Sequence, residues 1–188
     1  MAVPNPKHRL LTIEEFQRLT ETGVFSEDQR LELIRGELVE MSPIGGPHAT
    51  AVRRLTNRLA ARLGSRIILD VQNPLLIGEH QSELYPDVML LRPQEDFYSL
   101  GKPQPQDALL VIEVAGSSLS YDRDVKIPLY AEAGILEVWL VDLNSATIFV
   151  YRQPSPAGYQ EVRQFQRGDE VSPEAFPDER FRVHEILG

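Results

Sequence analysis

Three short stretches of the chain are almost wholly apolar, at residues 88–91, 109–114 and 138–141. They are rich in β-branched or large side chains and too short for core helices. Such runs read as strands covered on both faces. Elsewhere the pattern changes period. Leu31-Glu32-Leu33-Ile34-Arg35 and Glu37-Leu38-Val39-Glu40-Met41 alternate apolar and polar about Gly36, which predicts an antiparallel hairpin turning near Arg35-Gly36. From His48 to Leu63 the period is helical, with Val52, Leu55, Leu59 and Leu63 on one face.

The remaining elements follow from punctuation. Thr12 and Glu15 form a capping-box pattern, with Leu11 and Phe16 as a staple, so a helix is predicted over 12–20 and Gly23 ends it. Residues 1–9 read as a loose arm and 42–47 as a glycine-containing loop. Residues 66–70 and 71–77 are short strand candidates, 78–83 a turn, and 85–91 a strand that tolerates Pro86 at its start. The polar stretch 92–107 has the length of a lid. A turn at 116–121 leads into a helix ending at Gly134, where Pro128 predicts a kink or a late regular start. Residues 146–151 and 159–165 form a second hairpin, and 166–188 a closing segment anchored by Phe176 and Phe181. A helix between the strand of Glu113 and that of Trp139 makes those two strands parallel. The fold class is therefore α/β: a mixed sheet flanked by helices, with added hairpins, in a single domain over 1–188.

Composition narrows the class. The apolar (42%) and charged (25%) fractions are those of an ordinary globular protein. Without cysteine, disulfides and thiolate metal sites are excluded. No apolar run reaches the roughly 18 residues that span a bilayer, and the N-terminus lacks a signal-peptide core, so no membrane association and a cytoplasmic location are expected. The net charge of −9 argues against broad, non-specific nucleic-acid binding. Against it stands the helix at 48–63, which carries no acid and has Arg54, Arg58 and Arg62 four apart, beside Arg53. Two readings stand for this row: a solvated face, or a stripe that meets phosphates.

Glu113 lies within an apolar run and Asp87 at the mouth of another. A carboxylate so placed is costly to bury alone. Two acids converging at strand ends can hold a hard divalent cation, which favours few carboxylates plus water. Lys126 on the next helix can then orient a water or neutralise developing charge. The plain reading also stands: Asp87 capping a turn, and Asp122 with Lys126 as an i,i+4 pair. The four histidines show no zinc spacing, and no phosphate-cradling glycine loop or nucleophile elbow is present.

The runs Pro86-Asp87, Val111-Ile112-Glu113-Val114 and Asp122-x-x-x-Lys126-x-x-x-Tyr130-x-x-x-Gly134-Ile135-x-Glu137-x-Trp139-Leu140-Val141-Asp142 together resemble the Uma-two family. The segments Leu31-Glu32-Leu33-Ile34-Arg35-Gly36-Glu37 and Met41-Ser42-Pro43, and His48 opening the long helix, match as well. These are bacterial proteins classed with the restriction-endonuclease-like PD-(D/E)XK superfamily. The resemblance implies a metal-dependent DNA endonuclease using Mg²⁺ or Mn²⁺, held by Asp87 and Glu113. The superfamily lysine normally lies two residues after the second acid, where this chain has Ala115, and Lys126 is the implied replacement. Glu37 is a further acid and His48 a further substrate contact, while Tyr130 reads as packing. A homodimer would bring two sites to the two strands of DNA. The competing expectation is a nucleic-acid-binding or interaction module that keeps the fold without catalysis.

Overall fold

The computed structural model describes residues 8–26 and 29–188, so most of the arm expected at 1–9 lies outside the described residues. Helix α1 (Ile13–Glu21) starts where the capping box places it, with Thr12 and Glu15 exchanging side-chain-to-backbone hydrogen bonds. Strands β1 (Leu31–Ile34) and β2 (Glu37–Glu40) form the expected hairpin. Its two turn residues, Arg35 (φ 52°) and Gly36 (φ 82°), are both left-handed, as the tightest hairpin turn requires. A Cβ on Gly36 would stand 2.7 Å from the Leu10 Cβ and 2.9 Å from the Leu11 carbonyl oxygen, so glycine also makes room for the chain entering α1.

The central sheet has six strands in the order β10-β9-β8-β7-β6-β3. These are β3 (Ile68–Asp70), β6 (Val88–Leu91), β7 (Ala108–Ala115), β8 (Glu137–Asp142), β9 (Thr147–Ser155) and β10 (Gly158–Phe165). Only β7 and β8 run parallel, as the intervening helix demands. Both faces are covered. Helix α2 (Gly46–Leu63) lays Val52, Leu55, Leu59 and Leu63 on the side shared by Val88, Leu90, Ile112, Val114, Trp139 and Val141. The C-terminal β11 (Glu170–Val171), β12 (Phe181–Arg182) and α5 (Val183–Leu187) close this side, with Phe181 buried and Phe176 packed at its margin.

The other face receives the helical stretch that follows β7. It opens as α3 (Leu119–Tyr121), widens into a π-turn over Asp122–Lys126, and becomes regular only in α4 (Ile127–Glu132). Pro128 explains the late start. It has no N–H to offer the carbonyl four residues back, and the helix absorbs the defect in the turn before it, where the Ile127 N–H reaches the Asp122 carbonyl. In this wide turn Arg123, Asp124 and Val125 face out, while Asp122 and Lys126 both face in and are buried.

Strand assignments differ from expectation mainly between 66 and 91. The stretch 78–83, expected as a turn, holds a short 3₁₀ segment (Gly78–His80) and then β5 (Ser82–Leu84). With β4 (Leu75–Ile77) it extends the hairpin into a second sheet, β2-β1-β5-β4. No apolar run marks β5, because Ser82 and Glu83 are polar yet wholly buried. Glu83 accepts from Tyr85 Oη (2.9 Å), Lys102 Nζ (2.7 Å) and Gln17 Nε2 (2.7 Å). Ile34, Leu75, Ile77 and Leu84 of the second sheet join Met89, Val111, Leu129 and Tyr130 in one apolar cluster. Among the described residues, no helix is long and apolar enough to cross a membrane.

Candidate active site

The ladder between β6 and β7 sets the geometry. Val88 pairs with Ile112 and Met89 with Val111, so one step further Asp87 stands across from Glu113. The Asp87 Oδ2 accepts the Val114 N–H (2.9 Å), which continues the strand contact through a side chain. The same Oδ2 lies 2.9 Å from His48 Nε2 at the start of α2, and Oδ1 accepts from Gln72 Nε2 (3.1 Å). Burial works to raise the proton affinity of Asp87. The hydrogen bond and charge of His48, with the Val114 and Gln72 donors, outweigh it and hold the carboxyl below its usual range.

Glu113 sits on the face opposite to α2, where alternation along β7 sends Val111, Glu113 and Ala115. Its Oε1 accepts from Tyr130 Oη (2.6 Å) and lies 3.3 Å from Lys126 Nζ. Lys126 also donates to Glu32 Oε1 (2.9 Å) and stands 4.0 Å from Asp122 Oδ1. Three acids thus surround one ammonium, all of them buried. Burial would lower the affinity of Lys126 for its proton, but Glu113, Glu32 and Asp122 together drive it well above the ordinary lysine value. Burial, with Asp122, Asp87 and Glu32 nearby, pushes Glu113 up to about 8 against the pull of Lys126. Asp122 is raised chiefly by burial, although Ser118 Oγ donates to it (2.6 Å).

These groups line a cleft of about 410 Å³. Its floor is Glu32, Asp87, Glu113, Asp122 and Lys126, and its rim includes residues 42–45, Pro47, His48 and the Gly116–Ser118 turn. The lid-length loop 92–107 does not line it. That loop leaves β6 after Leu91, at the end of the strand opposite to Asp87, and is tied down by Lys102–Glu83 instead.

Of the residues singled out from sequence, Asp87, Glu113 and Lys126 converge, and His48 joins them as a partner of Asp87. Glu37 does not. It lies beside the hairpin turn on β2, exposed, and away from the cleft; the acid of that hairpin which reaches the site is Glu32. Alternation marks Glu32 as outward-facing, and only the second sheet, folding over α4, turns that face inward. Tyr130, expected as packing, is buried but also donates to Glu113. The arginine row is largely committed to the chain's own C-terminus. Arg54 donates to the Leu187 carbonyl (3.0 Å), and Arg62 donates to the Arg180 carbonyl and stacks 5.0 Å from the Phe181 ring centre. None of Arg54, Arg58 and Arg62 lines the cleft. A salt titration of DNA binding is therefore expected to keep its slope, within about one unit of counterion release, in an Arg54→Ala/Arg62→Ala variant. A fall of about two units would restore the phosphate stripe.

Among the described residues, no three His, Asp or Glu side chains converge closely enough to cage a metal by themselves. The donor set nevertheless fits a hard divalent cation that keeps most of its water. Four buried acids and a single ammonium line the cleft, both hydrogen bonds to Glu113 end on Oε1, and the buried Glu32 Oε2 has no hydrogen-bond partner. Asp87 and Glu113, opposite one another, are the two carboxylates that would hold it.

Comparison with known proteins agrees with this architecture. The Uma2 family, described as "Putative restriction endonuclease", matches residues 13–183, and the chain belongs to that family. An "Uncharacterized protein sll1609" of Synechocystis sp. (strain ATCC 27184 / PCC 6803 / Kazusa) is 24% identical over 138 residues, covering 71% of this chain and 75% of the relative. A crystal structure from Anabaena variabilis ATCC 29413, described as a "putative nuclease belonging to DUF820", superposes with a TM-score of 0.73 at 18% identity. It covers 94% of this chain and 97% of the other. The fold is the restriction-endonuclease-like α/β fold, and the chain is nuclease-like by family.

Proposed function

We propose that the chain is a divalent-metal-dependent endonuclease that hydrolyses phosphodiesters in DNA, with Mg²⁺ or Mn²⁺ held by Asp87 and Glu113. The observation that carries this reading is the convergence of Asp87 and Glu113 from adjacent strands with Lys126 from the following helix, in one cleft. A bound divalent cation would lower the pKa of a water and polarise the phosphate. The protein's own groups do the rest. Asp87 is kept ionised by His48 and Val114 N–H. Tyr130 fixes the orientation of Glu113, and the Lys126 ammonium places positive charge where a phosphoryl oxygen gains negative charge.

Nicking of supercoiled plasmid in Mg²⁺ tests the reading. Wild type is expected to nick, and Glu113→Gln to lose at least about 100-fold in rate, since it removes a charge met by the metal. DNA binding without nicking would favour the non-catalytic module, the reading toward which the net charge of −9 leans.

Metal and proton compete for Glu113. Below about 8 the folded protein holds a proton there that the unfolded chain, with an ordinary carboxyl near 4.5, releases; rising pH through that window therefore costs metal-free stability. Divalent metal requires the carboxylate, so its affinity is expected to climb as pH rises toward 8. Calorimetry at pH 7 in two buffers of different ionisation enthalpy should read about one proton released per ion bound. Equal heats in both buffers would remove Glu113 from the ligand set. Asp87→Asn is expected to weaken the same binding by at least about tenfold.

A further inference from the structure

Glu32 belongs to the hairpin, not to the central sheet, yet it reaches into the cleft and meets both Lys126 and the chain leading to Asp87. Its side chain is only 3% exposed. Oε1 accepts from Lys126 Nζ at 2.9 Å and from the Tyr85 backbone N–H at 3.0 Å. One oxygen thus ties the ammonium to the backbone two residues before Asp87. The second oxygen, Oε2, is buried and has no hydrogen-bond partner, although Glu32 lines the cleft. A buried carboxylate oxygen without a donor is costly, and a donor of water size is what the neighbouring cleft admits.

Resting on the nuclease reading, we propose that Glu32 is the positioning residue of this centre: Oε1 holds Lys126 beside Glu113, and Oε2 accepts a hydrogen bond from a water in the cleft. The two oxygens have separable roles. A glutamine keeps one acceptor for Lys126 and Tyr85 but puts an N–H₂ donor where Oε2 accepted. An alanine removes both. The lysine itself can be followed without any turnover. The chain has three lysines, Lys7, Lys102 and Lys126. A buried, hydrogen-bonded ammonium exchanges its protons slowly enough for its ¹⁵N resonance to be resolved from exposed ones.

The experiment combines plasmid nicking in Mg²⁺ with the lysine ¹⁵Nζ spectrum for wild type, Glu32→Gln and Glu32→Ala. Glu32→Gln is expected to keep the Lys126 resonance and KM within about threefold while kcat falls at least about tenfold, because the lost contact matters in the reacting complex rather than in binding. Glu32→Ala is expected to lose the protected Lys126 resonance and at least about 100-fold in kcat. Wild-type kcat in Glu32→Gln overturns the water role. An unchanged Lys126 resonance in a folded Glu32→Ala overturns the positioning role, and if alanine prevents folding, the same unchanged resonance in Glu32→Leu, which fills the space but has no acceptor, overturns it instead. If wild type itself cuts no DNA, the nuclease reading falls, while the lysine spectrum still decides whether Glu32 holds Lys126.

Discussion

Lys126→Met is expected to abolish nicking and to destabilise the fold as well. The sequence points to a lysine reaching over the Glu113 strand; the fold surrounds that lysine with Glu32, Glu113 and Asp122 in a buried pocket. Removing one partner of a buried ion cluster leaves the rest uncompensated, which costs about 3–5 kcal/mol. Burial already raises Glu113 and Asp122, and Lys126 is what pulls both back. Without it the folded state holds these protons to still higher pH, so for Glu113 the stability gap between variant and wild type widens as pH rises above about 8. Urea unfolding of wild type and variant at pH 5.5 and pH 8.5 reads the difference directly. A variant as stable as wild type at both pH values would mean that Lys126 does not neutralise the acids. Nicking at low temperature, where both proteins are folded, then isolates the chemical role. A loss of about 10²–10³-fold or more is expected for a group that meets charge formed in the transition state.

Glu137→Ala is expected to lower stability by about 3–5 kcal/mol without touching the cleft. Glu137 is fully buried at the start of β8. Its Oε1 accepts from Trp139 Nε1 (2.9 Å) and from Arg152 Nε (2.9 Å) and Nη2 (2.7 Å), and its Oε2 from the Glu174 N–H (2.6 Å). Arg152 also donates to the Ser172 carbonyl (2.8 Å), so this one carboxylate fastens the closing segment to the sheet. Alanine leaves an indole N–H and a backbone N–H without an acceptor, and the Arg152 guanidinium with only the Ser172 carbonyl. In a chain of this size the melting temperature should fall by roughly 6–20 °C. A fall of less than about 2 °C would show that water replaces the carboxylate. Metal affinity should be unchanged, because the cluster touches none of the cleft residues.

The two carboxylates at issue were unequally visible in the sequence. Glu113 interrupts an apolar run, and an ionisable group there signals either pairing or function whatever the surrounding fold. Glu137 stands at the edge of a similar run, where a polar residue is ordinary, and its burial depends on a segment more than thirty residues downstream. Loop roles were equally divided. Glycine and proline content marked both 42–47 and 92–107, but which one borders the cleft follows from the end of β6 each is near, a property of topology alone.

By itself the sequence determined the elements whose signals are local: the capped α1, the hairpin turned on Arg35 and Gly36, the apolar face of α2, the parallel pairing of β7 with β8, and the anomaly of Glu113. These depend on periodicity, backbone preference and chain connectivity within a few turns or one crossover. Tertiary structure decided the rest. It placed Asp87 opposite Glu113 through the β6–β7 register, swung Lys126 inward on the π-turn before Pro128, brought Glu32 in from a second sheet, excluded Glu37, and spent Arg54 and Arg62 on the C-terminal segment. The physical reason is that alternation and spacing report which face a residue shares with its neighbours in sequence. They do not report what lies against that face, and for a charged side chain what lies against it sets both its energy and its chemistry.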